Sequence, residues 1–145
     1  MRLLILSILT SVAVAQPGPP AIYDNSFSER YCVVIQDQPV FAEDTPLESP
    51  VSVISPIGSS TARVVRTDGS KVPYDAAEAH ITVESAFGQP IYFKSKGFRT
   101  VDVQWMGERF LFIRKGIGHI VAIEEIYDIV DRKWLVQQTV SYTRP

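Results

Sequence analysis

The chain has 145 residues, of which 14 are basic and 16 acidic, so its net charge at neutral pH is −2. This mild acidity and the lack of a basic run argue against nucleic acid or an anionic membrane surface as the main partner. The length suits one domain with a single hydrophobic core.

The first fifteen residues, "MRLLILSILTSVAVA", have the features of a cleaved export signal. Arg2 supplies a positive n-region, Leu3 to Leu9 form a short apolar run, and Ala13 and Ala15 give a small-x-small cleavage pattern. An uncleaved anchor is the alternative, but the run is much shorter than the ~20 apolar residues that span a bilayer. We expect cleavage after Ala15, a mature chain of 130 residues with net charge −3, and a secreted or periplasmic location.

The mature chain begins with residues 16–29, which are rich in Pro, Gly and small polar residues and are typical of a flexible lead-in. A single β domain is expected over 30–145. Cys32, the only cysteine, lies in "RYCVVI" and is interpreted as a small core residue. An intermolecular disulfide is the alternative, and a catalytic thiol is the least favoured.

Short β-branched segments separated by turn residues predict strands through most of the domain. "RYCVVIQ" is one such strand, and "VSVISPI" is an edge strand because Pro56 limits it. The helical signal is "YDAAEAH", in which Asp75 and Glu78 have the spacing of a capping box. The predicted class is mainly β, a small antiparallel sandwich or partly open barrel with a C-terminal β-meander and one short helix near 75–80.

The meander should contain three or four strands. In "TVDVQW" the residues alternate between apolar and polar, whereas "RFLFIR" is apolar on both faces and therefore belongs in the middle of a sheet. Residues 120–130, "IVAIEEIYDIV", fit both helical and strand spacing, and their β-branched content favours a strand. The basic pairs Arg114–Lys115 and Arg132–Lys133 are interpreted as solvated hairpin ends.

His119 precedes three carboxylates, Glu124, Glu125 and Asp128, which raises the question of a metal or acid–base site. On a helix, with about 100° per residue, the histidine and the carboxylates do not share a face. On a strand, His119 and Glu125 share a face but are roughly 20 Å apart. We therefore predict no metal site here and expect the charges to mark the solvent face of the sheet.

The sequence contains no catalytic or cofactor motif. The serine-rich "GSSTA" lacks the G-x-S-x-G elbow, and neither a phosphate-binding loop nor a dinucleotide fingerprint is present. We expect neither an enzyme nor a bound cofactor.

Aromatic residues of the last hairpins are the remaining candidates for contact with a ligand or partner: Trp105, Phe110, Phe112, Trp134 and Tyr142. Strand alternation places Trp134, Val136, Val140 and Tyr142 on one face. Such residues usually form a core, although one or two of them could line a pocket or an exposed contact patch.

Two functions are expected from these features. The first is an exported, non-enzymatic binding module for a protein or cell-envelope partner, which presents a loop or a sheet face. The alternative is a carrier of a small apolar ligand, with a pocket between sheets lined by those aromatics. The acidic charge permits a basic protein partner without identifying one.

Overall fold

The computed structural model describes residues 30–98, 100–117 and 121–141. The predicted signal peptide and lead-in, residues 1–29, lie outside these ranges, as do His119 and Tyr142. Two antiparallel sheets account for most of the described residues and stay open rather than closing into a barrel, which confirms the predicted mainly β class. Within these ranges, no helix has the length and apolar character needed to cross a lipid bilayer.

The first sheet has five strands: β1 (Val33–Ile35), β2 (Val51–Ile54), β3 (Ser60–Arg66), β4 (Glu78–Ser85) and β5 (Gly88–Lys96). Their order is β1-β5-β4-β3-β2, and every pair is antiparallel. The segment "VSVISPI" supplies β2, which is an edge strand as predicted.

The second sheet has four strands: β6 (Thr100–Met106), β7 (Phe110–Ile117), β8 (Val121–Asp128) and β9 (Lys133–Ser141). They follow chain order, so the predicted C-terminal meander is confirmed. The segment "RFLFIR" lies in β7, between two neighbours, as its two apolar faces indicate. The interpretation of residues 121–128 as a strand is also confirmed.

The hydrophobic core lies between the two sheets. Seven of its apolar side chains are 0 % exposed, four from the first sheet and three from the second: Ala62, Ile81, Val83, Phe93, Leu111, Ile113 and Ile123. The Phe93 ring meets Tyr127 and Trp134 in edge-to-face geometry, with centroid distances of 4.9 and 5.5 Å. Cys32 is also buried, so its interpretation as a core residue is confirmed.

The predicted helix near 75–80 is a single 3-10 turn, Tyr74–Ala76. Asp75 makes no capping hydrogen bond, and the residues from Glu78 onward belong to β4. Thr67 fixes Glu78 in the strand, because its N–H donates to the Glu78 carbonyl and its hydroxyl accepts from the Glu78 N–H. Pairing between strands therefore overrides the helix propensity of the alanines.

A bulge in β9 changes which of its residues share a face. Trp134 is opposite Tyr127, whereas Val136, two positions later, is opposite Ile126. Directly opposed residues lie on the same face, so Trp134 faces the core and Val136 faces away from it. The prediction that Trp134, Val136 and Val140 share a face is therefore wrong, because the bulge inserts an extra residue.

Residues 36–50, which we call the strap, cross the outer face of the first sheet. An isolated bridge pairs Leu47 with Thr67. The Glu48 N–H donates to the Arg66 carbonyl over 2.9 Å, and the two side chains form an ion pair. These contacts hold the C-terminal part of the strap against β3.

Polar contacts join the two sheets near the β2–β3 and β6–β7 turns. The Glu108 carboxylate accepts hydrogen bonds from the hydroxyls of Ser55 and Ser59. The Trp105 indole N–H donates to the Val53 carbonyl at 2.9 Å. One edge of the sandwich is thereby fixed by hydrogen bonds in addition to apolar packing.

Candidate functional site

The second sheet packs one face on the core and turns the other away from the first sheet. The outward positions carry a cluster of neighbouring apolar side chains, which we call the outer apolar face: Met106, Phe110, Phe112, Ile126 and Val136. Met106 is 49 % exposed and the others are half-buried. Described strands pack only against the opposite side of this sheet, where Leu111 and Ile113 lie.

Charged residues border the outer apolar face on the same side of the sheet. Asp102, Arg114 and Glu124 are opposite one another on β6, β7 and β8. The Arg114 Nε lies 4.0 Å from a Glu124 oxygen, and Gln138 donates to the same carboxylate at 3.4 Å. An apolar centre with a charged border is the usual arrangement of a protein contact surface.

The structure separates the five predicted contact residues. Phe110 and Phe112 belong to the outer apolar face, half-buried and directed away from the core. Trp105 and Trp134 are partly buried and pack against the core. Tyr142 lies outside the described residues. The hairpin aromatics thus divide between the two faces of one sheet.

A second candidate region is a cleft of about 560 Å³ between the strap and the outer face of the first sheet. The strap contributes apolar side chains such as Val40 and Leu47, both exposed, and the sheet contributes Arg63, Thr82 and His80. This cleft could not be predicted from the sequence, because the strap is an irregular Pro-containing segment without periodicity.

His80 lies at the base of this cleft and is 4 % exposed. Its ring stacks on Phe41 with a centroid distance of 3.8 Å, and its Nε2 contacts the Glu78 carboxylate, which Lys94 also approaches at 2.9 Å. Burial lowers the pKa of His80, although Glu78 opposes this effect, so the imidazole is neutral at pH 7. Its Nδ1 is buried and has no hydrogen-bond partner among the described residues.

One gap lies where the edge strands β2 and β6 of the two sheets meet. This gap of about 220 Å³ lies beside β2, β3 and β6, and its lining includes Val51, Val53, Val64, Val101 and Val103. None of the aromatics predicted to line a carrier pocket is among its lining residues. The gap is also below the roughly 300–1,000 Å³ of typical ligand pockets.

The interior contains an ion pair at one end of the core. Lys115 Nζ lies 2.9 Å from Glu125 Oε2, and both side chains are 0 % exposed. Glu125 Oε1 accepts hydrogen bonds from the Cys32 backbone N–H at 2.7 Å and from Gln137 at 2.9 Å. The Lys115 ammonium also donates to the Arg30 carbonyl and approaches Cys32 Sγ at 3.6 Å.

Two predictions about charged residues are wrong. The carboxylates Glu125 and Asp128 are buried rather than on a solvent face, and Lys115 is not a solvated hairpin end. Asp128 is neutralised by Arg109, whose Nη2 lies 2.6 Å away. Strand alternation contained a signal for Glu125, because it lies between the core residues Ile123 and Tyr127 on one face.

In the described part of the chain, no group of three or more His, Cys, Asp or Glu side chains is arranged to hold a metal ion. His119, the histidine of the rejected metal site, lies outside that part. No protein-family model, curated protein or solved structure matches this chain.

Proposed function

We propose that this chain is a non-enzymatic binding module that holds a protein partner on the outer apolar face, in the secreted or periplasmic space. The observation that carries the proposal is the cluster of five apolar side chains on a face against which no described strand packs. The export signal predicted in residues 1–15 supports the location.

The chemistry of this face favours a folded protein surface as the partner. Phe110 and Phe112 project from the centre of the sheet, and large aromatic side chains near the middle of an interface usually supply most of its binding energy. The face is a sheet surface rather than a cavity, so it suits a broad partner with an apolar patch. The charged border at Asp102, Arg114 and Glu124 would set its orientation.

A photo-crosslinking experiment followed by an affinity measurement tests this proposal. A photoreactive phenylalanine analogue is placed at Phe112 or, as a matched control, at Phe87, which is 50 % exposed in the β4–β5 turn of the other sheet. We expect one protein to be captured in the native host through position 112 and not through position 87.

The captured protein is then purified and titrated with variants of the chain. Phe112→Thr retains strand propensity and should weaken binding by about 30-fold, whereas Phe87→Thr should leave it unchanged. Equal binding by both variants would refute the assignment of this face. Concentration-dependent dimers that Phe112→Thr abolishes would identify the partner as a second copy of this chain.

A second candidate function is the binding of a small ligand in the strap cleft. Its volume of about 560 Å³ lies in the usual range for ligand sites, and its lining combines apolar strap side chains with the basic Arg63 of β3. In this second proposal the ligand lies on the outside of the first sheet, whereas the sequence-based alternative put the pocket between the sheets.

Native mass spectrometry of the protein from its own host tests the second candidate. Val40 is an exposed strap residue that lines the cleft, and the larger side chain of Val40→Trp should fill the space. A small molecule that the wild-type protein retains should therefore be lost from this variant. It should persist in Phe112→Thr. A protein that carries no small molecule, or one that Val40→Trp retains, would contradict this function.

A further inference from the structure

The side-chain nitrogen of Lys115 and the sulfur of Cys32 lie side by side in the protein interior. Nζ and Sγ are 3.6 Å apart, and the side chains are 0 % and 3 % exposed. Lys115 comes from β7 and Cys32 precedes β1, so the contact joins one sheet to the other. The centroid of the Phe98 ring lies 4.9 Å from Nζ.

One carboxylate positions both groups. Glu125 Oε1 accepts from the Cys32 N–H, and Glu125 Oε2 lies 2.9 Å from Lys115 Nζ. Oε2 is buried and in ion-pair contact with the Lys115 ammonium, so it can accept a proton directly from Nζ. Reacting atoms held near contact distance with a proton acceptor beside them meet the geometric requirement for an intramolecular reaction.

We propose that Lys115 and Cys32 are a modification site, at which molecular oxygen joins Nζ to Sγ through one oxygen atom as an N–O–S bridge. The N–H bond, the S–H bond and the O=O bond are broken, and N–O and O–S bonds form. Nitrogen and sulfur each lose two electrons, and the four electrons reduce both oxygen atoms, one of which stays in the bridge while the other leaves as water. The extra proton of the Lys115 ammonium passes to Glu125 Oε2, so the ammonium–carboxylate pair becomes a neutral amine derivative and a carboxylic acid.

Burial favours this product over other cysteine chemistry. Conversion of a buried ion pair into neutral groups removes two charges from the protein interior, where each charge is costly. The chain has no second cysteine for an internal disulfide. Burial, reinforced by Glu125, raises the pKa of the Cys32 thiol, and because the side chain is only 3 % exposed an outside disulfide cannot reach the sulfur.

The bridge would act as a redox-sensitive clamp. It links residues 83 positions apart and closes the segment before β1 onto β7. A crosslink that closes a loop of this length restricts the unfolded chain and stabilises the fold. A dithiol reductant would restore the amine and the thiol and release the oxygen as water.

Intact-mass analysis of the mature wild-type protein, exposed to air or kept anaerobic with dithiothreitol, tests the proposal. The air-exposed sample should gain one oxygen atom and lose two hydrogen atoms, and its digest should contain one peptide pair joined through Cys32 and Lys115. Dithiothreitol should reverse the mass change. The bridge should form in Lys94→Met, a matched control, and be lost in Cys32→Ser and Lys115→Met.

The wild-type peptide map decides the question even if a core variant does not fold. The proposal would be overturned if the air-exposed wild-type protein kept its unmodified mass and its Cys32 thiol reacted fully with a thiol reagent in denaturant. An added oxygen on Cys32 without loss of hydrogen would also overturn it, as would a dimer joined by a disulfide between two copies of Cys32.

Discussion

The buried Lys115–Glu125 pair allows a sharp stability prediction. Glu125→Gln retains side-chain volume and one acceptor oxygen for Cys32 and Gln137, but it leaves the Lys115 ammonium at 0 % exposure without a counter-charge. Breaking a buried pair in this way costs about 3–5 kcal/mol. A domain of this size has about 5–15 kcal/mol of stability, so the variant should fold only marginally.

The double variant Lys115→Met/Glu125→Gln removes both charges. Its free energy of unfolding should fall by only about 1–2 kcal/mol, because altered hydrogen bonds are the remaining cost. This decrease is smaller than that of Glu125→Gln alone. Urea unfolding with a reductant present, followed by the fluorescence of Trp105 and Trp134, measures both values. A loss below about 1 kcal/mol for Glu125→Gln, or losses that add in the double variant, would refute the reasoning.

Three further predictions concern other parts of the fold. Phe93→Ala removes a fully buried ring between Tyr127 and Trp134 and should lower the free energy of unfolding by about 3–5 kcal/mol; a loss below about 1 kcal/mol in urea would contradict this core assignment. Burial opposes ionisation of Glu108, but hydrogen bonds from Ser55 and Ser59 lower its pKa from 4.5 to about 2, so stability from this group should persist above pH 4.5 and be lost as the pH falls towards 2. Thermal unfolding across that range should show a flatter decline for Glu108→Gln, and an unchanged profile would argue against the contact. Gly107→Ala should cost about 1 kcal/mol because φ is 67° there while nothing lies near the added methyl group; an unchanged midpoint in urea would show that this turn tolerates an L side chain.

Strand alternation predicted much of this fold because most strands bury one face. The apolar pattern of "RFLFIR" indicated a central strand, and β-branched content indicated a strand over residues 121–128. The short helix was overestimated because alanine propensity is local, whereas the pairing of Glu78 with Lys96 is not. Likewise, the β9 bulge depends on how Trp134 meets Tyr127, which the spacing within β9 does not show.

The candidate sites were harder to predict than the strands. Phe110 and Phe112 were recognised as possible contacts, but their sequence does not show which face of β7 the first sheet covers. The buried Lys115 was missed although its ion-pair partner Glu125 lies on the adjacent strand. The strand spacing does not show that Arg30 and Cys32, which are 85 and 83 residues from Lys115, close this end of the core.

The buried polar cluster also constrains the order of folding. The Gln137 side chain donates to the Cys32 carbonyl across 105 residues, and the Cys32 N–H reaches Glu125 across 93. The β6–β9 hairpins have only local pairings and can form early, but the charged pair within them lacks its partners until both ends of the domain are present. A nascent chain that has not yet supplied Gln137 therefore cannot complete this core, so closure of the sandwich is a late step of synthesis.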